Sequence, residues 1–265
     1  MPVGTRNLRF SFINYLVDGS VSASSETTEF PAENLQANGR PWKGWRSTAT
    51  GSQTITGSFS SSQVGVVYLN NCNFAQATLT VGSRSIDAEI RFCAYCYRYQ
   101  YAWLLDDETA GGPTASGVSV AIPSQTPVDG ASYYRLGGLW AGAVTVPPSH
   151  YLFDVERTTS RPQTARQLLT GGAVPVKLGN PYARISVQRM ARTDRLAPGF
   201  QDQLEDWGFI DYLFWQQSEM LMVMSRRDTA DAYIVNSTDD GFSWQRTPSL
   251  LRAGSRVSFI EMVGP

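Results

Sequence analysis

Alternation with a period of two, broken at short intervals by Gly, Pro, Ser and Asn, most constrains what this chain can fold into. Over Gln53–Phe59, the residues Ile55, Gly57 and Phe59 share one face and Thr54, Thr56 and Ser58 take the other, as in a half-buried strand. The same pattern predicts strands over Arg9–Tyr15, Ala77–Val81, Ala88–Trp103, Val118–Ile122, Tyr133–Leu139 and Tyr151–Val155. Val64–Leu69 is apolar almost throughout, which predicts a strand covered on both faces. Pro and Gly fill the connections at Gly111-Gly112-Pro113, Pro123 to Pro127 and Pro147-Pro148. Short strands with such turn signals between them point to a β-sandwich.

The chain has 265 residues, enough for one large core or two modest ones. Over Thr158–Gly172 it turns polar and Arg-rich, which sets a division into a sandwich at 1–157, a linker at 158–175 and a smaller β-rich unit at 176–265. Strands are expected in the last unit over Arg184–Arg189, Phe209–Trp215, Met220–Met224, Ala232–Val235 and Arg256–Met262. One short helix is expected too, because Phe200, Leu204 and Trp207 fall at i, i+4 and i+7 and Gly208 stands where a C-cap would.

Tyr95, Tyr97, Tyr99, Tyr101 and Trp103 occupy every second position, so on a single strand they point the same way. Such a row buries a large area and keeps polar tips. A sandwich core face, a protein interface and a sugar-stacking ligand platform all use it. On that single strand Cys93 lies on the row's face and Arg98 and Gln100 oppose it, so the three cannot all be buried together.

Composition removes several function classes. The formal net charge is −1, with no basic field to draw in a nucleic-acid backbone. No run approaches the roughly 18 apolar residues of a membrane span, and the first residues lack the apolar stretch of a secretory signal. Of the 22 cations all but Lys43 and Lys177 are arginine, the cation whose planar fork favours protein interfaces.

Chemistry-bearing residues are sparse. Cys93-Ala-Tyr-Cys96 has the Cys-x-x-Cys spacing but falls within an expected strand, where i and i+3 face opposite ways and cannot chelate together without a turn. All three cysteines are read as small buried residues, and no metal or cofactor is expected. His150, the one histidine, has no Gly-x-Ser-x-Gly elbow to serve. The acidic groups at Asp106-Asp107-Glu108, Glu205-Asp206 and Asp239-Asp240 are read as solvated turns, although paired carboxylates are also what a glycosidase uses. Gly137–Gly142 matches neither phosphate-binding glycine fingerprint. Ser237-Thr-Asp239-Asp-Gly241-Phe-Ser-Trp244 resembles the Asp-box of sialidase-type propellers, but it occurs once where a propeller would repeat it. It is read as a hairpin, and no catalytic residue is expected.

Two stretches carry a broader resemblance. One is Phe30-Pro-Ala-Glu-Asn-Leu35 with Arg40-Pro-Trp42 and Gly44-Trp45-Arg46-Ser47, leading into strands that end Val67-Tyr-Leu69-Asn-Asn71. The other is Tyr134-Arg135-Leu136-Gly-Gly138-Leu-Trp140-Ala-Gly142. In this order they resemble tailed-bacteriophage minor tail, distal tail and baseplate-associated proteins with an N-terminal galactose-binding-like jelly roll. The resemblance implies a mainly β chain, a galactose-binding-like jelly-roll sandwich followed by a smaller β-rich unit. That unit would be either a split barrel or an extension of the sandwich. It implies a virion structural subunit rather than an enzyme, a homo-oligomer of three or six copies in a ring linking the tail tube to the adhesion apparatus. Its partners would be other tail proteins, with no nucleic acid and no membrane insertion. Assembly would take place in the bacterial cytoplasm. Sugar binding is not implied by the fold; Trp42, Trp45 and Arg46 are expected to pack against the sandwich. The alternative is a carbohydrate- or receptor-binding module using the Tyr95–Trp103 row on a host-surface glycan.

Overall fold

Strand β5, Val66–Cys72, is buried at every residue, and two layers of structure are built around the sheet that contains it. The computed structural model describes residues 8–36, 42–106, 112–146, 155–160, 163–167, 173–177, 182–192, 219–225, 228–237, 245–247 and 252–261. The chain is mainly β, with one 3-10 turn at Ala32–Gln36 as the only helical element among the described residues. No helix among them is long and apolar enough to cross a membrane.

A two-sheet antiparallel sandwich forms the first part, as the alternation predicts. One sheet holds β2 (Ser20–Ala23), β4 (Gln53–Gln63), β6 (Gln76–Val81), β7 (Arg84–Glu89) and β10 (Thr114–Ile122), in the order β2-β4-β10-β6-β7. The facing sheet holds β5, β8 (Arg91–Cys93), β9 (Arg98–Leu104) and β12 (Gly138–Gly142), in the order β12-β5-β9-β8. Between them lie Ile55, Leu79, Val118 and Val120 from the five-stranded sheet and Val67, Leu69, Tyr101, Leu139 and Ala141 from the four-stranded one. Each large apolar side chain buried there contributes about 1.5–3 kcal/mol. The 3-10 turn caps one end: Leu35 joins the core, and Gln36 Nε2 donates to the carbonyls of Leu16 and Gly19 at 2.8 and 2.9 Å.

A third layer covers the other face of the four-stranded sheet. It consists of β1 (Arg9–Ser11), β13 (Val155–Ser160), β16 (Tyr182–Arg192), β17 (Met220–Val223), β18 (Ala232–Ser237), β19 (Gln245–Thr247) and β20 (Arg252–Glu261). Their order is β1-β17-β18-β20-β16-β13, with β19 also on β20. Leu221, Val223, Ala232 and Ile234 pack on Val66, Tyr68, Ala102 and Trp140. This is why β5 reads as an unbroken apolar run: its alternate residues face two different cores.

The sheets do not follow the expected division at residue 157. β1 comes from the start of the chain yet pairs with β17, and β13 runs across the boundary to pair with β16. Residues 158–175, expected as a linker, contain the end of β13, all of β14 (Gln163–Gln167) and the start of β15 (Ala173–Lys177), which pair as a hairpin. Strand pairing between segments far apart in sequence outweighs the local composition that suggested a break. The helix expected over Phe200–Gly208, the strand over Phe209–Trp215 and most of the hairpin at Ser237–Trp244 lie outside the described residues.

Candidate functional site

The five-residue aromatic row does not exist as one face. The stretch expected as a single strand over Ala88–Trp103 is β7, β8 and β9, with a turn at residues 94–97 between the last two. Tyr99, Tyr101 and Trp103 share the core-facing side of β9, where Tyr101 is buried and the other two are partly so. Tyr95 and Tyr97 stand on the turn, exposed together with Phe92. Phe92 contacts the rings of Tyr97 and Tyr99 edge-on at 6.2 and 5.3 Å. The row is therefore split into a core triplet and an exposed cluster at a hairpin tip.

The same turn overturns the expected separation of Cys93, Arg98 and Gln100, all three of which are buried. Cys93 is on β8 and the other two are on β9, and both faces of this sheet are covered. Tyr97 N–H donates to the carbonyl of Cys93 at 2.9 Å, closing one turn of helix-like backbone that brings i and i+3 side chains together. Tyr97 takes a positive φ of 55°, a rare conformation for a bulky residue. Cys93 and Cys96 thus stand on the same turn, and each thiol shifts the ionisation of the other. Cys93 Sγ lies 3.7 Å from Tyr233 Oη, and Cys96 Sγ lies 3.4 Å from Gln100 Oε1. The Cys96 thiol beside it lowers the Cys93 thiol to about 6, against the opposing effect of burial. Cys96 moves the other way, raised by its bond to Cys93 and by burial. Cys72 is free, buried and pushed up by burial.

Around this turn runs a polar seam between the four-stranded sheet and the third layer. Gln100 Nε2 donates to the carbonyls of Ala230 and Ala232 at 2.6 and 2.7 Å, while Tyr68 donates to Gln100 Oε1 at 2.8 Å. Burial holds the Tyr68 phenol well above its ordinary range. Ala102 N–H reaches the Thr229 carbonyl at 2.7 Å. Arg98 pairs with Glu261, both side chains 1% exposed, and Glu261 Oε2 also accepts from Ala183 N–H at 2.9 Å. Arg9 Nε pairs with Asp106 Oδ2 at 2.7 Å, again buried. Asp106 was expected in a solvated turn; its partner from residue 9 draws it inside. Near the turn's outer edge, Arg157 pairs with Asp231 at 2.7 Å and lies over the Tyr95 ring at 5.6 Å. Burial raises the Asp231 carboxyl, and Arg157 only partly offsets this.

At one edge of the sandwich, β3 (Trp45–Arg46) and β11 (Arg135–Leu136) form a two-stranded ribbon. Trp45 and Tyr134 are fully buried. Ser47 Oγ accepts from Tyr134 N–H at 2.7 Å, and Ser47 N–H donates to the Tyr134 carbonyl at 3.0 Å. A Cβ on Gly44 would stand 2.1 Å from the Leu136 carbonyl oxygen, so only glycine permits this approach. Arg46 lies over the Phe30 ring at 3.6 Å and faces Tyr133 at 5.2 Å. Trp45 and Arg46 thus pack as expected.

Gly138–Gly142 is strand β12. No cluster of three or more His, Cys, Asp or Glu placed to hold a metal occurs among the described residues. His150, Asp107, Glu108, Glu205, Asp206, Asp239 and Asp240 lie outside them. A shallow depression of about 420 Å³ over Glu156, Thr158, Arg184, Ser186 and Ser258 opens on the outer face of the third layer.

No protein-family model matches the chain, and no curated protein matches it. Among solved structures, it is similar to the N-terminal domain of the single-strand break repair protein XRCC1, determined by NMR in solution. That likeness has 14% identity and a TM-score of 0.36, and covers 54% of this chain and 99% of that one. The fold described above rests on the strand pairing alone.

Proposed function

We propose that this chain is a structural subunit of a bacteriophage tail tip or baseplate, a distal or minor tail protein built on a galactose-binding-like sandwich. It assembles as a symmetric ring of three or six copies between the tail tube and the adhesion apparatus. The observation that carries this reading is the β3/β11 ribbon. The two stretches that resemble the tail-protein family, Phe30–Ser47 and Tyr134–Gly142, lie far apart in sequence and meet there. β12, from the second stretch, pairs along β5, which holds the Val67–Asn71 segment of the first. The described parts of the two stretches are thus strand-paired with each other in two sheets, which supports reading them together. The buried ion pairs that tie the four-stranded sheet to the third layer also suit a subunit held rigid in a ring.

The test joins two measurements: light scattering on the purified protein and quantitative mass spectrometry of purified virions. Peptides of this chain at three or six copies per particle are expected. A monomer in solution that is absent from particles overturns the reading. The glycan-binding alternative loses its five-residue platform because Tyr101 faces the core; what it retains is the exposed Phe92, Tyr95 and Tyr97. Titration with host-surface glycans at millimolar concentration tests that remainder, and Tyr97→Ala abolishes any binding that uses it.

A further inference from the structure

We propose that Cys93 and Cys96 are a reversible redox site, a dithiol that a small hydroperoxide oxidises to a disulfide across the β8–β9 turn. Three observations place it. The turn closed by Tyr97 N–H and the Cys93 carbonyl brings the two cysteines into one buried cluster, and four-residue turns hold their ends within the Cα separation a disulfide needs. Arg98, buried at the start of β9, has two donors, Nε and Nη1, without a hydrogen-bond acceptor, and its guanidinium favours negative charge on Cys96. The backbone at Tyr97 is held in the left-handed region, a strain that proteins tolerate chiefly where a site needs it.

The chemistry follows from these neighbours. Cys93 is the thiol drawn toward its thiolate, lowered by the Cys96 thiol and the Tyr233 hydroxyl beside it. A thiolate rather than a thiol is the nucleophile. Its sulfur attacks one oxygen of hydrogen peroxide and the O–O bond breaks. Hydroxide leaves and takes up the proton that Cys93 had released, giving one water. Cys93 is then a sulfenic acid. The Cys96 sulfur, giving up its proton, attacks Cys93 Sγ. The S–O bond breaks, and the departing hydroxide takes that proton as the second water. Two thiols are oxidised to one disulfide and one peroxide is reduced to two waters. Cys93 is 4% exposed and Cys96 1%, so the oxidant proposed is a small one, hydrogen peroxide, rather than a bulky one. Cys72 has no neighbouring thiol and is pushed up by burial, so it serves as an internal control. The proposal stands apart from the assembly role.

The sequence supplies a direct readout. Trypsin cleaves after Arg91 and Arg98, so both cysteines fall in the peptide Phe92–Arg98, whereas Cys72 falls in Ser47–Arg84. The full chain is reduced, freed of reductant and exposed to hydrogen peroxide beside an equal amount of free glutathione. It is then quenched, denatured, alkylated and digested. Phe92–Arg98 is expected to lose both alkyl tags and to run about 2 Da below its dithiol mass. Ser47–Arg84 keeps its tag, and dithiothreitol restores the other two. The rate is expected to rise with pH and to level off at a lower pH than for glutathione, because the Cys93 thiol is lowered by its neighbours. In Cys96→Ser the reaction stops at the sulfenic acid, which dimedone traps on Cys93 when the protein is denatured in its presence. If this variant does not fold, the wild-type peptide still decides. Retention of both tags on Phe92–Arg98 after the glutathione is half oxidised overturns the proposal. So does loss of the Cys72 tag at the same rate.

Discussion

The two faces of the four-stranded sheet are held by opposite means. Its inner face meets the five-stranded sheet through Val67, Leu69, Leu139 and Ala141 with Tyr101, a core of apolar contacts. Its outer face meets the third layer through Val66, Tyr68, Ala102 and Trp140, interrupted by Gln100, by Arg98 with Glu261 and by Arg9 with Asp106. Aliphatic packing is strong but weakly directional, and tolerates rearrangement that keeps volume. Buried hydrogen bonds and ion pairs add little net energy but penalise every misaligned arrangement, because a slipped layer leaves charges unpaired. Here the sandwich supplies the stability and the outer seam fixes how the third layer docks.

Five variants break or sharpen that contrast. Glu261→Ala strands a buried guanidinium and is expected to cost about 3–5 kcal/mol, whereas Arg98→Met combined with Glu261→Leu recovers most of the loss. Urea midpoints of the two variants check this; a double variant as unstable as the single would mean that the pair supplies stability as well as register. Leu69→Ala opens a cavity in the inner core and should cost about 2–5 kcal/mol, with no rescue by polar partners. Tyr68→Phe keeps the ring and removes the hydroxyl that donates to Gln100 Oε1 and the Ala232 carbonyl at the seam, for about 1 kcal/mol, measurable in the same denaturation series. Glu89→Ala removes only an exposed pair with Arg91 and is expected to change the midpoint by less than about 0.5 kcal/mol.

What could be read in advance followed the same contrast. The inner core was legible because aliphatic alternation is a local signal: Ile55 in β4, Leu79 in β6 and Val118 and Val120 in β10 all sit where period two puts them. The seam was not, because its partners are distant: Gln100 bonds to Ala230 and Ala232, and Arg98 to Glu261. The β8–β9 turn escaped for another reason. Its residues 94–97 contain no Gly, Pro or Asn, the punctuation by which turns are recognised, and Tyr97 takes the left-handed conformation that glycine usually signals. A row of aromatic residues at every second position then looked continuous through a hairpin. The dithiol was hidden with it, since the inference that the two sulfurs face apart is sound only for an extended chain.

The placement of β1 has a consequence for how the molecule is made. This strand leaves the ribosome well before β17, to which it pairs and which lies more than 200 residues later. At translation speeds of about 5–20 residues per second, β1 waits roughly 10–40 s for its partner. Meanwhile the nascent sandwich can hold it. Asp106 takes Arg9, and Phe10 and Thr145 exchange backbone hydrogen bonds, all before the third layer is synthesised. The first strand thus becomes a docking edge, kept in register by what is already folded and presented to the strands still to come. On chains stalled short of β17, Arg9→Ala should expose β1 to protease while the sandwich strands stay protected; equal protection of β1 in the variant would show that the ion pair has no such part.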